Sequence, residues 1–258
     1  MVFDGLSIEL LFFMFSVAIV AGFLDVLAGG GGLITLPALI MSGMSPLSAL
    51  GTNKLQGCMG TATATYMMLS KKKVSWHEVK HLMLTAFIGS VIGSVIVLLI
   101  NVEVLSFVIP VVLFIIAVYF LLMPKPSEIK LKPKITKWKY QNVVVPVIGA
   151  YDGMFGPGAG SFFSLTGVLF WGHGLLSSVA AAKPLNFSTN IASLIVFLFA
   201  GHVVWVMGIS MMMGQVIGAW LGSHCLFRVK PEYLRVVIVL MCLGMLFKYS
   251  VSMGWLIV

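Results

Sequence analysis

Apolar runs of about twenty residues recur from Ile8 to Val258, with charge largely confined to short stretches between them. About that length of mostly apolar chain is needed for one helical passage through a bilayer. No water-soluble surface can be assembled from the remainder, since 60% of the residues are hydrophobic and only 9% are charged. The pattern predicts an all-α polytopic membrane protein, whose backbone polar groups are satisfied inside each helix.

Sixteen Lys and Arg against eight Asp and Glu give a formal net charge of +8. In a soluble chain this would point to nucleic acid, but here the cations gather in three loops. Lys71, Lys72, Lys73 and Lys80 form one group, and Lys125, Lys130, Lys132, Lys134, Lys137 and Lys139 the largest. Arg228, Lys230 and Arg235 form the third. Basic loops mark the cytoplasmic side, and a polybasic patch for anionic lipid is compatible with the same role. The N-terminus carries Asp4 and Glu9 where a cleavable leader would have cations, which argues against one.

The two halves resemble each other. Gly22-Phe-Leu-Asp25 is answered by Gly149-Ala-Tyr-Asp152, and each opens a glycine-rich stretch: Ala28-Gly-Gly-Gly-Gly-Leu33, and Phe155-Gly-Pro-Gly-Ala-Gly-Ser161. Beyond a short insertion at Gly156-Pro157 the register holds. Lys54 falls on Lys183, Thr61 on Asn190, Trp76 on Trp205 and Glu103 on Glu232, while Gly89-x-x-x-Gly93-Ser94 falls on Gly218-x-x-x-Gly222-Ser223. Each unit reads as five segments, at 6–28, 32–43, 47–70, 81–100 and 103–123, then at 140–155, 160–172, 175–200, 206–226 and 233–255. The expected organisation is a first repeat at 1–123, a basic cytoplasmic linker at 124–139 and a second repeat at 140–258.

An odd number of crossings repeated in tandem faces the membrane in opposite directions, the inverted-repeat plan of secondary transporters. The loops agree with it. The lysine triplet at 71–73 is answered by the uncharged Gly201-His-Val-Val-Trp205, and cation-free Ile100-Asn-Val-Glu103 by the basic loop of Arg228 and Lys230. With the basic clusters in the cytoplasm, both termini are predicted to be periplasmic, and Lys248 is the one mild exception.

The segments after the glycines reach only about 18 to 21 Å against a hydrocarbon core of about 30 Å. Short, Gly- or Pro-interrupted helices at matching positions in two halves point to a transporter's binding site. Glycine permits positive φ and close approach of a ligand to backbone N–H groups, which at helix N-termini favour anions. Gly29, Gly30, Gly31 and Gly32, with Gly156, Gly158, Gly160 and Ser161, are therefore candidate binding residues. Tight helix packing is the alternative use of glycine, and for the two Gly-x-x-x-Gly pairs it is the preferred one.

Lys54 and Lys183 lie inside apolar segments. A lysine at such depth costs about 2.5 to 3.5 kcal/mol, so it is expected to face a cavity, a partner or a substrate. Snorkelling towards headgroups is the alternative. Thr52, Asn53 and Gln56, with Asn186, Ser188, Thr189 and Asn190, supply neutral donors nearby. Pro184 frees carbonyls within its helix. Asp25 and Asp152 are the acidic residues expected deep in the bilayer, where they either balance the lysines or carry a coupled proton. His77, His81, His173, His202 and His224 lie towards segment ends and read as interfacial. Cys58, Cys225 and Cys242 sit in apolar segments without metal-ligand spacing, so neither disulfides nor zinc are expected.

Ala21-Gly-Phe-Leu-Asp-Val-Leu-Ala-Gly-Gly-Gly-Gly-Leu33, then Pro37-Ala-Leu39 and Ala49-Leu-Gly-Thr-Asn-Lys-Leu-Gln56, resembles the TauE/SafE family of membrane transporters. Tyr151-Asp-Gly-Met-Phe-Gly-Pro-Gly-Ala-Gly-Ser161 is similar to the signature of that family's second half. The resemblance covers nearly the whole chain and is closest to the YfcA-like bacterial branch. It implies transport of sulfite, sulfoacetate or related sulfur oxyanions and organosulfonates, commonly described as export, in a bacterial inner membrane.

The expected function is thus a secondary transporter of small anions that alternates access to a midplane site. Its substrate-binding set is the glycines above with Ser161, Thr52, Asn53, Lys54, Gln56, Lys183, Asn186 and Asn190; Asp25 and Asp152 balance charge or couple protons. An anion channel of the same fold, a carrier of other carboxylates or organic anions, and a receptor role are the alternatives. An intramembrane enzyme is disfavoured, since neither H-E-x-x-H nor G-x-S-x-G occurs, and without G-x-x-x-x-G-K-[ST] ATP-driven pumping by this chain is not expected. The expected partners are a small anion, the lipid bilayer and, as an open alternative, a second copy; no cofactor, metal or nucleic acid is expected.

Overall fold

Ser7 opens the first helix by accepting a hydrogen bond from the Leu10 N–H at 3.1 Å, and Gly29, in the left-handed region at φ 72°, closes it. The computed structural model describes residues 7–122 and 132–226, with isolated positions Leu240, Leu243, Gly244 and Phe247. Through the first half run α1 (Ile8–Ala28), α2 (Gly32–Met41), α3 (Pro46–Ser70), α4 (Trp76–Leu98) and α5 (Val102–Leu122). The second half opens with a single turn, α6 (Lys137–Lys139), which passes through a π-helical stretch (Tyr140–Val144) into α7 (Val145–Met154). Then follow α8 (Ala159–Leu169), α9 (Leu175–Phe199) and α10 (Trp205–Cys225). The expected segment at 233–255 apart from the isolated positions named, the basic group Arg228, Lys230 and Arg235, Lys248, Cys242 and the first half of the linker lie outside the described residues.

Among the described residues every regular element is a helix, and five are long and apolar enough to cross a bilayer: α1, α4, α5 as far as Tyr119, α9 and α10. α3 matches α9 in length at 25 residues but is more polar, and it is enclosed by the others, with Thr52, Asn53, Lys54 and Gln56 all buried. α4 begins at Trp76 rather than at position 81, because the Glu78 carboxylate accepts the Ser75 N–H at 3.4 Å and starts the helix a turn early. α2 and α8, of 10 and 11 residues, are about 15 to 17 Å long and cannot span alone.

Backbone-to-backbone packing through glycine sets the frame. A Cβ on Gly89 or Gly93 of α4 would collide with the carbonyls of Pro146 and Ala150 on α7, and one on Gly218 of α10 with that of Ile19 on α1. The Gly-x-x-x-Gly pairs thus serve close helix contact. Their register also gives direction. Gly89 meets Pro146 and Gly93 meets Ala150, so α4 and α7 run parallel; Gly218 meets Ile19 and Gly222 meets Phe23, so α10 and α1 do too. α3 runs parallel to α10, with Thr52 at Val204 and Gly60 at Gln215. By contrast, Gly51 meets Phe197 while Gly57 meets Asn190, so α3 and α9 cross in opposite directions. The pairings α1 with α10 and α3 with α10 recur as α7 with α4 and α9 with α4.

Candidate functional site

Two chain breaks meet where α1 and α7 end. Gly29 takes φ 72° before α2; Gly156 and Gly158, at φ 95° and 80°, flank Pro157 before α8. A Cβ at Gly29 would lie 2.5 Å from the Ser161 N, and one at Gly32 would lie 3.0 Å from the Pro157 Cα. The Ser161 hydroxyl donates to the Ala28 carbonyl, and the Tyr151 hydroxyl donates to that of Pro157 at 2.6 Å. Glycine here lets one break seat against the other, leaving the N-terminal turns of the short helices beside a shared interior.

Each lysine reaches across to the other half. Lys54 on α3 donates to Asp152 Oδ1 at 2.7 Å and also to the Asp152 carbonyl, one of the orphan acceptors at the end of α7. The second carboxylate oxygen of Asp152 accepts from the Thr189 hydroxyl, and the residue is 1% exposed. Lys183 on α9 donates to the Asp25 carbonyl near the end of α1. Its Nζ stands 3.7 Å from Asp25 Oδ2, and this carboxylate side chain is 18% exposed. Asp25 Oδ1 accepts the Gly31 N–H of the next break at 3.1 Å. Because α3 and α9 are antiparallel and Gly57 faces Asn190, the two lysines lie about 15 Å apart along the axis, on either side of the crossing point.

Between them is a cavity of about 40 Å³, enough for one to a few water-sized groups. Its wall contains Asp25, Gly31, Gly32, Asn53, Lys54, Gln56, Asp152, Gly156, Asn186 and Asn190 from the residues predicted by sequence, and also Gly57, Thr61 and Gln215. Asn53 Oδ1 accepts from Thr35 at 2.6 Å and from Gln56 at 2.8 Å. The side-chain amides of Asn186, Asn190 and Gln215, only 6%, 7% and 4% exposed, make no hydrogen bond among the described residues. Buried polar groups ordinarily have partners, and three free amides on one cavity wall present donors and acceptors that water or a solute can take.

The remaining predicted residues lie outside this wall. Thr52 accepts the Val204 N–H at 3.0 Å and ties α3 to the start of α10. Lys183 stands behind Asp25. Gly29, Gly158, Gly160 and Ser161 form the seat between the breaks, and Gly30 is buried there. His77, His81 and His224 are exposed, and His173 stacks on Trp171 at 4.4 Å. Gln215 escaped sequence reasoning although a signal existed: it is the one amide side chain in α10, placed in the run Met211-Met-Met-Gly-Gln215.

The family described as Sulfite exporter TauE/SafE matches residues 14–249. The chain belongs to the TauE/SafE family. It is a multi-pass membrane transporter of that family, similar along nearly its whole length to curated proteins. A Haemophilus influenzae protein described as a probable membrane transporter is 38% identical over 250 residues, covering 97% of this chain and 98% of its own. A Sinorhizobium protein, probable membrane transporter protein ORF9, is 38% identical over 242 residues, with coverage of 94% and 93%. The Escherichia coli K12 protein YfcA, also described as a probable membrane transporter, is 40% identical over 227 residues, with coverage of 88% and 84%. No solved structure matches the chain.

Proposed function

We propose that this TauE/SafE protein is a secondary transporter of small anions, chiefly sulfite, organosulfonates or related sulfur oxyanions, in the bacterial inner membrane. The observation that carries the reading is the buried cavity beside two broken helices, where Lys54 and three unpartnered amides converge. An oxyanion spreads its charge over several oxygens, so amide N–H groups can share it beside a cation that stays paired, without the full cost of stripping a buried lysine of its partner. Residues 1–123 and 140–258 act as oppositely oriented units joined by the linker 124–139, with both termini periplasmic. Opposed α3 and α9, and pairings that recur when the halves are exchanged, support that plan. One unit rocking against the other exposes the cavity to each side in turn. A channel of the same fold, or a carrier of other small organic anions, is separated from this reading by the same experiment.

That experiment is a flux screen in proteoliposomes with sulfite, a sulfonate, sulfate and a carboxylate, each with and without a pH gradient. A sulfur oxyanion is expected to show saturable counterflow and uphill accumulation, and Asn190→Leu to reduce its flux at least tenfold in protein that still inserts. Flux that never exceeds equilibration would identify a channel, and preference for the carboxylate would reassign the substrate.

A further inference from the structure

The two lysine–aspartate pairs are not equivalent, and the difference is written in the sequence. Thr189, which holds the second oxygen of Asp152, corresponds in the first half to Gly60, so Asp25 has no matching hydroxyl to hold it. Asp152 is closed in by Lys54 and Thr189. Asp25 is partly open to the cavity, sits 3.7 Å from Lys183, and takes the Gly31 N–H at the start of α2. A carboxylate on the backbone amide that opens a helix, next to an ammonium and in the wall of a cavity with three free amides, stands where a small oxyanion would stand.

Resting on the transporter reading, we infer that Asp25 is a tethered anion that competes with the transported one, so that a proton and an anion cross the membrane together. A proton taken from the solution neutralises the Asp25 carboxylate. The Gly31 N–H then loses its acceptor and the Lys183 ammonium, behind Asp25, its counter-charge; a substrate in the cavity supplies both, held by the Gly31 N–H and by Asn186, Asn190 and Gln215. Release reverses the order: the anion departs, the carboxyl gives up its proton to the same side, and Asp25 returns to Gly31. The charged groups around Asp25 permit this assignment. α9 presents Lys183, and α3 carries Lys54, which Asp152 neutralises, with buried Cys58 and exposed Tyr66. α2 and α8 carry no titratable side chain. α10 contributes His224, on the exposed face with its ring against Trp220, and Cys225.

The test uses full-length protein in proteoliposomes and methanesulfonate, whose charge is fixed between pH 5 and 9, so that only the protein titrates. With an internal pH dye, an inward methanesulfonate gradient is expected to acidify the wild-type lumen, and a proton gradient to drive accumulation in its own direction. Apparent wild-type affinity should rise by up to about tenfold per unit fall in pH, the slope of one linked proton. Asp25→Asn is expected to lose accumulation and to show counterflow that no longer responds to pH, whereas His224→Gln, on the exposed face of α10, keeps the wild-type pH slope. Luminal alkalinisation by the wild type overturns the proposal without any variant, and so does an Asp25→Asn protein that still accumulates. Absence of wild-type counterflow for every anion in the screen would sink the transporter reading, and this one with it.

Discussion

Lys54 and Asp152 show why a buried charge in this chain is legible as a residue but not as a contact. Each is about 1% exposed and completes the other, so removing either partner strands a charge away from water. Such a loss costs about 3 to 5 kcal/mol, whereas removing both together costs much less. Lys54→Ala and Asp152→Ala are therefore each expected to lower the unfolding midpoint in detergent steeply, with the double variant recovering at least half of the loss. Strictly additive losses would mean that the pair is not coupled. An ionisable residue in an apolar run stands out from sequence alone, as both lysines and both aspartates do. That each lysine binds the aspartate of the opposite half depends on how α3 and α9 cross, and no local pattern encodes that. Gln215 was harder still, because one amide among methionines looks like packing until its neighbours Gly22 and Gly60 are seen to leave room for it.

Among the elements, glycine has two uses that look identical in the sequence and have opposite energetic signs. On Gly93 a methyl group meets the Ala150 carbonyl across the α4 and α7 contact, and the helices must separate. Gly57 is also helical, but its nearest neighbour would be Asn190 Oδ1 at 3.4 Å, an ordinary contact. Gly93→Ala should cost about 1 to 3 kcal/mol or block assembly, while Gly57→Ala should be neutral or stabilising by up to about 1 kcal/mol through helix propensity. Thermal unfolding of the two purified variants checks both signs. Element positions were legible for a related reason: apolar length and turn residues punctuate the chain, so α3 and α9 fall within one residue of expectation. The π-helical turn at Tyr140–Val144 was not, since one extra residue in a turn leaves no mark on an apolar run.

At the scale of the whole molecule, the proposed opposed orientation of the halves has a consequence that chemistry can read. Lys72 follows α3 and Ala200 follows α9, both are exposed, and these helices point in opposite directions. In a background with Cys58, Cys225 and Cys242 replaced by Ser, Ala200→Cys in intact cells should react with a membrane-impermeant maleimide. Lys72→Cys should react only after the membrane is opened. Labelling of both from one side would refute the inverted arrangement.

Thr189 facing Asp152, where the first half has only Gly60, means that the two halves are not interchangeable. The residues answering to Asn186, Asn190 and Gln215 are Gly57, Thr61 and Ala86, while those answering to Asn53 and Gln56 are Ala182 and Leu185, so each half furnishes polar groups at positions the other leaves plain. A protein fused from two copies of residues 1–123 would preserve the glycine seams, the reciprocal lysines and a doubled Asn53 and Gln56, yet its chamber would lack the three amides left open to a solute.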